Sequence, residues 1–168
     1  MDEHRLGLKP VLRRVWAPRG QRPVVRVYHR YQWLYVYGFV RPTTGESFWL
    51  LLPTVNAEVF SLALAHFAQE VGAGEHKRIV LVLDQAGFHT AKEVRVPGGL
   101  ELEFLPSHSP ELQPAERLWP LCNEGVANRL FADLDELEDV LAQRCCILAE
   151  QPVLLRSHTL FHWWPDAA

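Results

Sequence analysis

Two acids in this sequence stand where an enzyme would place catalytic groups. Asp84 directly follows the continuous apolar run Ile79–Leu83 (IVLVL), which reads as a strand buried on both faces, and the carboxyl end of such a strand is where open α/β sheets place their ligand sites. Glu116 follows a proline-braced loop, Pro106–Pro114, that leads from the strand-like Leu100–Leu105 (LELEFL) into an expected helix from about Ala115 to Asn128. A carboxylate in that first turn is held by a rigid element and favoured by the helix dipole. Two carboxylates brought together repel unless a cation bridges them. Ligands that are all oxygen suit hard divalent ions such as Mg²⁺ or Mn²⁺. Two such ions can activate a water or a 3′-hydroxyl on one side of a phosphodiester and stabilise the leaving oxygen on the other, which is phosphoryl transfer without a covalent enzyme intermediate. Taken singly, each acid has a plainer reading, Asp84 as a strand-end turn residue and Glu116 as an ordinary first-turn acid.

The elements that must position these acids can be read from periodicity. After a loop-like opening with Pro10, Pro18, Gly20 and Pro23, Val24–Tyr28 offers a short strand. Tyr31–Val40 (YQWLYVYGFV) and Glu46–Leu52 (ESFWLLL), separated by the turn residues Pro42-Thr43-Thr44-Gly45, then read as an antiparallel hairpin. From the N-cap Asn56, the apolar positions Val59, Phe60, Ala63, Leu64 and Phe67 recur at helical spacing until Gly72 and Gly74, giving an amphipathic helix. A capping-box pattern at Asp133 and Glu136, ahead of Leu137, Val140, Leu141 and Leu148, gives a closing helix. Hairpin, helix, buried strand, strand, helix and helix is the order of an α/β domain with a mixed sheet, antiparallel first and then extended by parallel crossovers.

The chain has 168 residues, 48% of them hydrophobic, which suits one domain with a sizeable core. No apolar run approaches the roughly 18 to 20 residues that span a bilayer, and the polar opening has no signal-peptide core; a soluble intracellular protein is expected. The three cysteines, Cys122, Cys145 and Cys146, form no CxxC pair and read as helix-face packing residues. The net charge of −3 hides an asymmetry, because residues 1–41 hold nine Lys or Arg against two Asp or Glu and residues 42–168 hold eight against eighteen. A basic segment feeding an acidic core suits phosphate backbone held beside carboxylates that bind cations. A solvated, Arg-rich segment is the plainer alternative.

The stretches VLDQAGFHT (82–90) and LPSHSPELQPAERLW (105–119) resemble the paired signatures of DDE transposases of the mariner superfamily, in particular the bacterial insertion-sequence branch. Asp84 matches the second acid of that family and Glu116 the third. The opening Asp2-Glu3-x-Arg5-x-Gly7-Leu8 resembles the first acid motif, with Asp2 as the ligand and Glu3 as its neighbour. The ending HTLFHWWP (158–165) also resembles the family. Gln85 and Gln113 stand where asparagine is common there, and retain its amide donor and acceptor. The resemblance implies an α/β, RNase H-like fold, a mixed sheet with flanking helices, whose first central strand is expected to be missing because the chain opens at Met1-Asp2. It implies a single catalytic domain over residues 1–168; full-length members of the family also carry N-terminal helix-turn-helix modules, which are expected to be absent here. Asp2, Asp84 and Glu116 would bind two Mg²⁺ or Mn²⁺ ions. The activity implied is hydrolytic nicking at transposon ends, followed by attack of the freed 3′-hydroxyl on target DNA. The implied partners are transposon-end and target DNA and a second copy of the chain, in a homodimer assembled on DNA in the bacterial cytoplasm, at the nucleoid when acting. No membrane partner is expected.

Around this centre, Arg13, Arg14, Arg19 and Arg22 flank Trp16 in a pattern suited to phosphate contacts and stacking on an unpaired base, with core packing of Trp16 as the alternative. His89 suits orienting a metal ligand or contacting phosphate, or is a satisfied loop histidine. Arg117 is a DNA contact or an i,i+4 surface partner, and Trp119 is a core residue. A rival reading of the whole chain is a truncated, inactive transposase remnant that acts at most as a DNA-binding or dimerising fragment. An RNA- or junction-cleaving nuclease of the same fold is a further alternative.

Overall fold

The computed structural model describes residues 1–25 and 30–165. Three strands, β1 (Asp2–Gly7), β2 (Trp33–Val40) and β3 (Ser47–Leu52), form an antiparallel ladder in the order β1-β2-β3. Two more, β4 (Ile79–Leu83) and β5 (Leu100–Phe104), pair in parallel. The ladders meet where the α-amino group of Met1 donates to the Val82 carbonyl oxygen at 2.6 Å. That contact sets the start of β1 beside β4, so the three-stranded antiparallel sheet and the two-stranded parallel sheet lie edge to edge. The expectation of a missing first strand is therefore overturned, because Asp2–Gly7 supplies it. Its polar opening, Asp2-Glu3-His4-Arg5, carries no strand signature; six register pairs with β2, from Asp2 opposite Gly38 to Gly7 opposite Trp33, make it one. Of the short strand expected over Val24–Tyr28, Val24 and Val25 are not in a strand and the rest lies outside the described residues.

Helices cover both faces of the sheet. On one face α1 (Ala57–Val71) buries Phe60, Ala63, Leu64 and Phe67 against Met1, Tyr37, Phe39, Leu81 and Leu83. It begins at the expected cap, with Asn56 Oδ1 accepting from the Val59 amide at 2.8 Å, and ends at Gly72, whose φ of 66° is the left-handed conformation glycine adopts freely. On the other face α2 (Leu118–Asn123), α3 (Leu134–Ala149) and α4 (Pro152–Thr159) pack Leu118, Trp119, Leu137, Leu141, Leu148 and Leu155 on Leu6, Leu34 and Val36. The helix α4, started by Pro152, had no counterpart in the sequence reading.

Two further expectations are corrected. β4 is buried on one face only. Val80 is 59% exposed because it shares the outer face with Glu101, its partner on β5, while α2 to α4 cover the β1–β3 part of that face. Nor does one helix run from Ala115 to Asn128. The chain makes 3₁₀ turns at Pro110–Leu112 and Pro114–Arg117 before α2 begins. Pro120 explains the break, since in a helix begun at Ala115 its ring would meet the carbonyl of residue 116, whereas in α2 it falls in the first turn, where the missing N–H is no loss. Of the cysteines, Cys122 and Cys145 are buried between helices and Cys146 is exposed.

Candidate active site

Strand alternation sends successive side chains of β1 to opposite faces of the sheet, and this divides the opening Asp-Glu pair between two tasks. Asp2 turns toward α2, where its Oδ2 accepts a hydrogen bond from Trp119 Nε1 at 2.8 Å. His4, on the same face, stacks on Trp119 with ring centroids 5.0 Å apart and meets Asn123 Oδ1 at 3.0 Å. Glu3 turns the other way, under α1, and its side chain is only 6% exposed.

Asp84 leaves the end of β4 and bends into a turn in which its Oδ1 accepts from the Ala86 amide at 3.0 Å. His89, folded back beneath that turn, brings Nδ1 to 2.8 Å from Asp84 Oδ1, and Nε2 to 3.0 Å and 3.1 Å from the two Glu3 oxygens. Both ring nitrogens face carboxylate oxygens, an arrangement that favours the charged imidazole, with a proton on each nitrogen. Burial opposes that charge, but the hydrogen bond from His89 to Glu3, together with the charges of Glu3 and Asp84, holds its pKa above the usual imidazole range. His89 is thus a satisfied histidine of the turn, with both ring nitrogens engaged. It is a buried bridge between two carboxylates, packed on Phe60 at 4.5 Å and Phe88 at 4.3 Å.

Glu116 sits in the 3₁₀ turn Pro114–Arg117, and its carboxylate has no hydrogen-bond partner among the described residues. The loop that carries it is braced from within. Gln113 donates from Nε2 to the Met1 carbonyl at 2.8 Å, and Gln85 donates to the Leu105 carbonyl at 2.9 Å, so both glutamines use their amides to tie loops to strand ends.

Asp2, Asp84 and Glu116 line one open cavity of about 310 Å³, together with Gln85, Gln113 and the loop from Leu105 to Pro110. Their electrostatics are those of acids crowded together. Burial pushes the Asp2 pKa up to about 7, against the Trp119 hydrogen bond and helped by the charges of Glu116 and Glu3. Burial, then the charge of Asp84, raises that of Glu116. Among the described residues no three His, Cys, Asp or Glu side chains form a ready-made metal cage. The donor set nevertheless fits a hard divalent ion. It is all oxygen, Asp84 Oδ2 and both Glu116 oxygens are free of hydrogen bonds among the described residues, and such ions keep several waters that bridge to side chains.

The arginine cluster lies apart from this cavity's lining, on the irregular segment between β1 and β2, where Arg13, Arg14, Arg19 and Arg22 are all exposed. Trp16 is fully exposed, which overturns core packing as an explanation of it. Arg13 pairs with Glu124 at 3.0 Å. Arg117 is exposed, with its guanidinium 5.6 Å from the Phe161 ring centroid rather than in an i,i+4 pair. Trp119 is a core residue, as expected, and also a donor to Asp2. Sequence reasoning treated Glu3 only as the neighbour of Asp2. No local signal marks it, since the polar opening carries no strand signature and its partner His89 lies 86 positions away.

Comparison with known proteins bears on this arrangement. Residues 1–138 match the family model described as DDE superfamily endonuclease. A Sinorhizobium fredii protein, described as uncharacterized protein y4pE/y4sA, is 36% identical over 136 residues, covering 78% of this chain and 96% of that protein. Among solved structures, the Mos1 mariner paired-end complex with Mn superposes with a TM-score of 0.59 at 19% identity, covering 95% of this chain and 55% of that one. The Mos1 transposase paired-end complex with left transposon end gives 0.56 at 18%, covering 93% and 53%. The chain therefore spans just over half the length of the solved transposases it matches, and the fold it shares with them is RNase H-like. No helix among the described residues is long and apolar enough to cross a membrane.

Proposed function

Because the chain belongs to the DDE superfamily endonucleases, we propose that it is the catalytic core of a transposase, cleaving DNA strands at transposon ends and joining the freed 3′-hydroxyl to target DNA. The observation that carries this reading is the meeting of Asp2, Asp84 and Glu116, from three separate parts of the chain, on one open cavity. These carboxylates would hold Mg²⁺ or Mn²⁺, two ions in the full site. Bound there, divalent ions supply activation of the attacking oxygen and stabilisation of the leaving one.

The protein's own share is positioning and charge. Trp119 fixes the Asp2 carboxylate from behind, the Ala86 amide and His89 fix that of Asp84, and the Gln113 anchor fixes the turn that carries Glu116. Burial first, and mutual repulsion after it, raise the Asp2 and Glu116 pKa values, and the repulsion is relieved when a cation sits among them. An open trough suits a polymer that must lie across the site. Arg14, Arg19 and Arg22, with Trp16 projecting among them, suit a grip on phosphate and on an unpaired base, with Arg13 and Arg117 at the margins. The Mos1 structure is a complex with a transposon end, which supports DNA as the partner here; a homodimer assembled on that DNA is the working form proposed.

A nicking assay on end-containing DNA with Mg²⁺ or Mn²⁺, run beside Asp84→Ala, tests the reading. Metal-dependent cleavage by the wild type that is lost in the variant is expected. A folded wild type that cleaves nothing would instead assign the chain to the inactive, DNA-binding or dimerising class.

A further inference from the structure

We propose that Glu3 is a positioning residue that acts through His89 to fix the Asp84 carboxylate relative to Asp2. The proposal rests on the reading of Asp84 as a metal ligand. Asp84 stands on a turn, its side chain 56% exposed, and a carboxylate so placed has rotamer freedom that a metal site must remove. His89 removes it by holding Oδ1 at 2.8 Å, which leaves Oδ2 as the oxygen open to a ligand. The imidazole in turn is held from its far side by both oxygens of Glu3, and its side chain is 1% exposed. Glu3 is buried and has no route to the cavity, since it leaves β1 on the face opposite Asp2.

Two adjacent residues of one strand therefore serve one centre from opposite faces. Asp2 faces the cavity directly, and Glu3 reaches round through His89 to the acid on the neighbouring half of the sheet. A shift of β1 along its axis would move both contacts together, so the pair acts as a gauge of the Asp2 to Asp84 separation. Partners that orient ligands from behind are worth about 10- to 100-fold in metal affinity.

The test is Mn²⁺ alone, titrated calorimetrically into the full chain, for wild type, Glu3→Leu, Glu3→Gln, His89→Phe, the Glu3→Leu/His89→Phe double variant and Asp84→Asn. Glu3→Leu is expected to weaken Mn²⁺ binding by about 10- to 100-fold, and Glu3→Gln, which keeps an acceptor oxygen, to recover most of the loss. In the His89→Phe background Glu3→Leu is expected to add nothing, a pattern that a merely structural role would not produce. Glu3→Asp covers the case in which Glu3→Leu fails to fold. It keeps the charge but withdraws it by one methylene, and is also expected to bind Mn²⁺ more weakly. Wild-type affinity in Glu3→Leu or Glu3→Asp, with binding abolished in Asp84→Asn, would overturn the role of Glu3 and leave the ligand reading standing. Wild-type affinity in Asp84→Asn would overturn both.

Discussion

Trp119 and Asp2, 117 positions apart, are joined by a 2.8 Å hydrogen bond from indole nitrogen to carboxylate oxygen. It is the main local influence holding Asp2 ionisable in a place where burial favours the neutral acid. Trp119→Phe keeps the ring that stacks on His4 but removes the donor. The expected result is an Asp2 pKa above its present value of about 7 and a stability loss of roughly 1.5 to 3 kcal/mol, the range for a hydrogen bond to a charged group. Urea unfolding reads the second effect, and the pH dependence of Mn²⁺ binding, displaced to higher pH, reads the first.

Without divalent ions the same carboxylate makes stability depend on pH. Asp2 binds a proton in the folded chain up to about pH 7 but in the unfolded chain only below the ordinary aspartate value of 3.8, so its contribution falls as pH rises through that interval. His89, with its pKa raised, acts in the same direction, its stabilising share being present below the unfolded imidazole pKa and lost as pH rises through the folded one. The Met1 amine, lowered by burial to about 6, acts oppositely between 6 and 8. Between 4.5 and 6 the remaining contributor is Glu116, whose raised pKa acts in the same direction as Asp2, and comparison with Asp2→Asn separates the share of Asp2. Over that window the wild type should lose stability relative to Asp2→Asn by about 1.36 kcal/mol per pH unit. Parallel stability curves for the two proteins would contradict the assignment.

Divalent ions should reverse that penalty. Mg²⁺ or Mn²⁺ at 100 times its dissociation constant stabilises the folded chain by about 2.7 kcal/mol. The same ion concentration should give a larger thermal shift at pH 8 than at pH 5, because Asp2 must shed its proton to bind. The shift should disappear in Asp84→Asn, and differential scanning calorimetry with and without EDTA measures it.

Gly38 lies opposite Asp2 in the β1–β2 ladder, directly beneath the Trp119 ring. A Cβ at this position would stand 2.8 Å from Trp119 Cη2 and 3.1 Å from Leu118 Cδ1. Gly38→Ala should therefore cost about 1 to 3 kcal/mol through overpacking and tilt Trp119 away from Asp2, lowering Mn²⁺ affinity as well. Gly87→Ala, where a Cβ would meet nothing within 4 Å, is the control expected to be neutral. Equal stabilities for the two variants would count against the close packing of ring on strand.

Much of this architecture was legible because it is written locally. Asn56 and Gly72 bracket α1 in the sequence as they do in space, and IVLVL ends at Asp84 in both. What was not legible depends on distant partners. The polar residues of β1 become a strand only through their ladder with β2, and Glu3 acquires a role only because His89, 86 positions away, folds beneath the sheet. Pro120 was visible, yet its effect on helix phase emerges only once the turn before α2 is known. The exposure of Trp16 could not be read from its flanking arginines, since an aromatic ring among charges suits a core edge as well as a free surface.

The joint between the two ladders has a consequence for how such a chain can vary. Asp2 and Glu3 belong to the antiparallel half of the sheet, Asp84 and His89 to the parallel half, and the contacts that align the carboxylates also clasp the halves together. A change that loosens the clasp harms cohesion and chemistry at once. Drift at this joint is thus screened twice, and the two properties cannot be inherited separately.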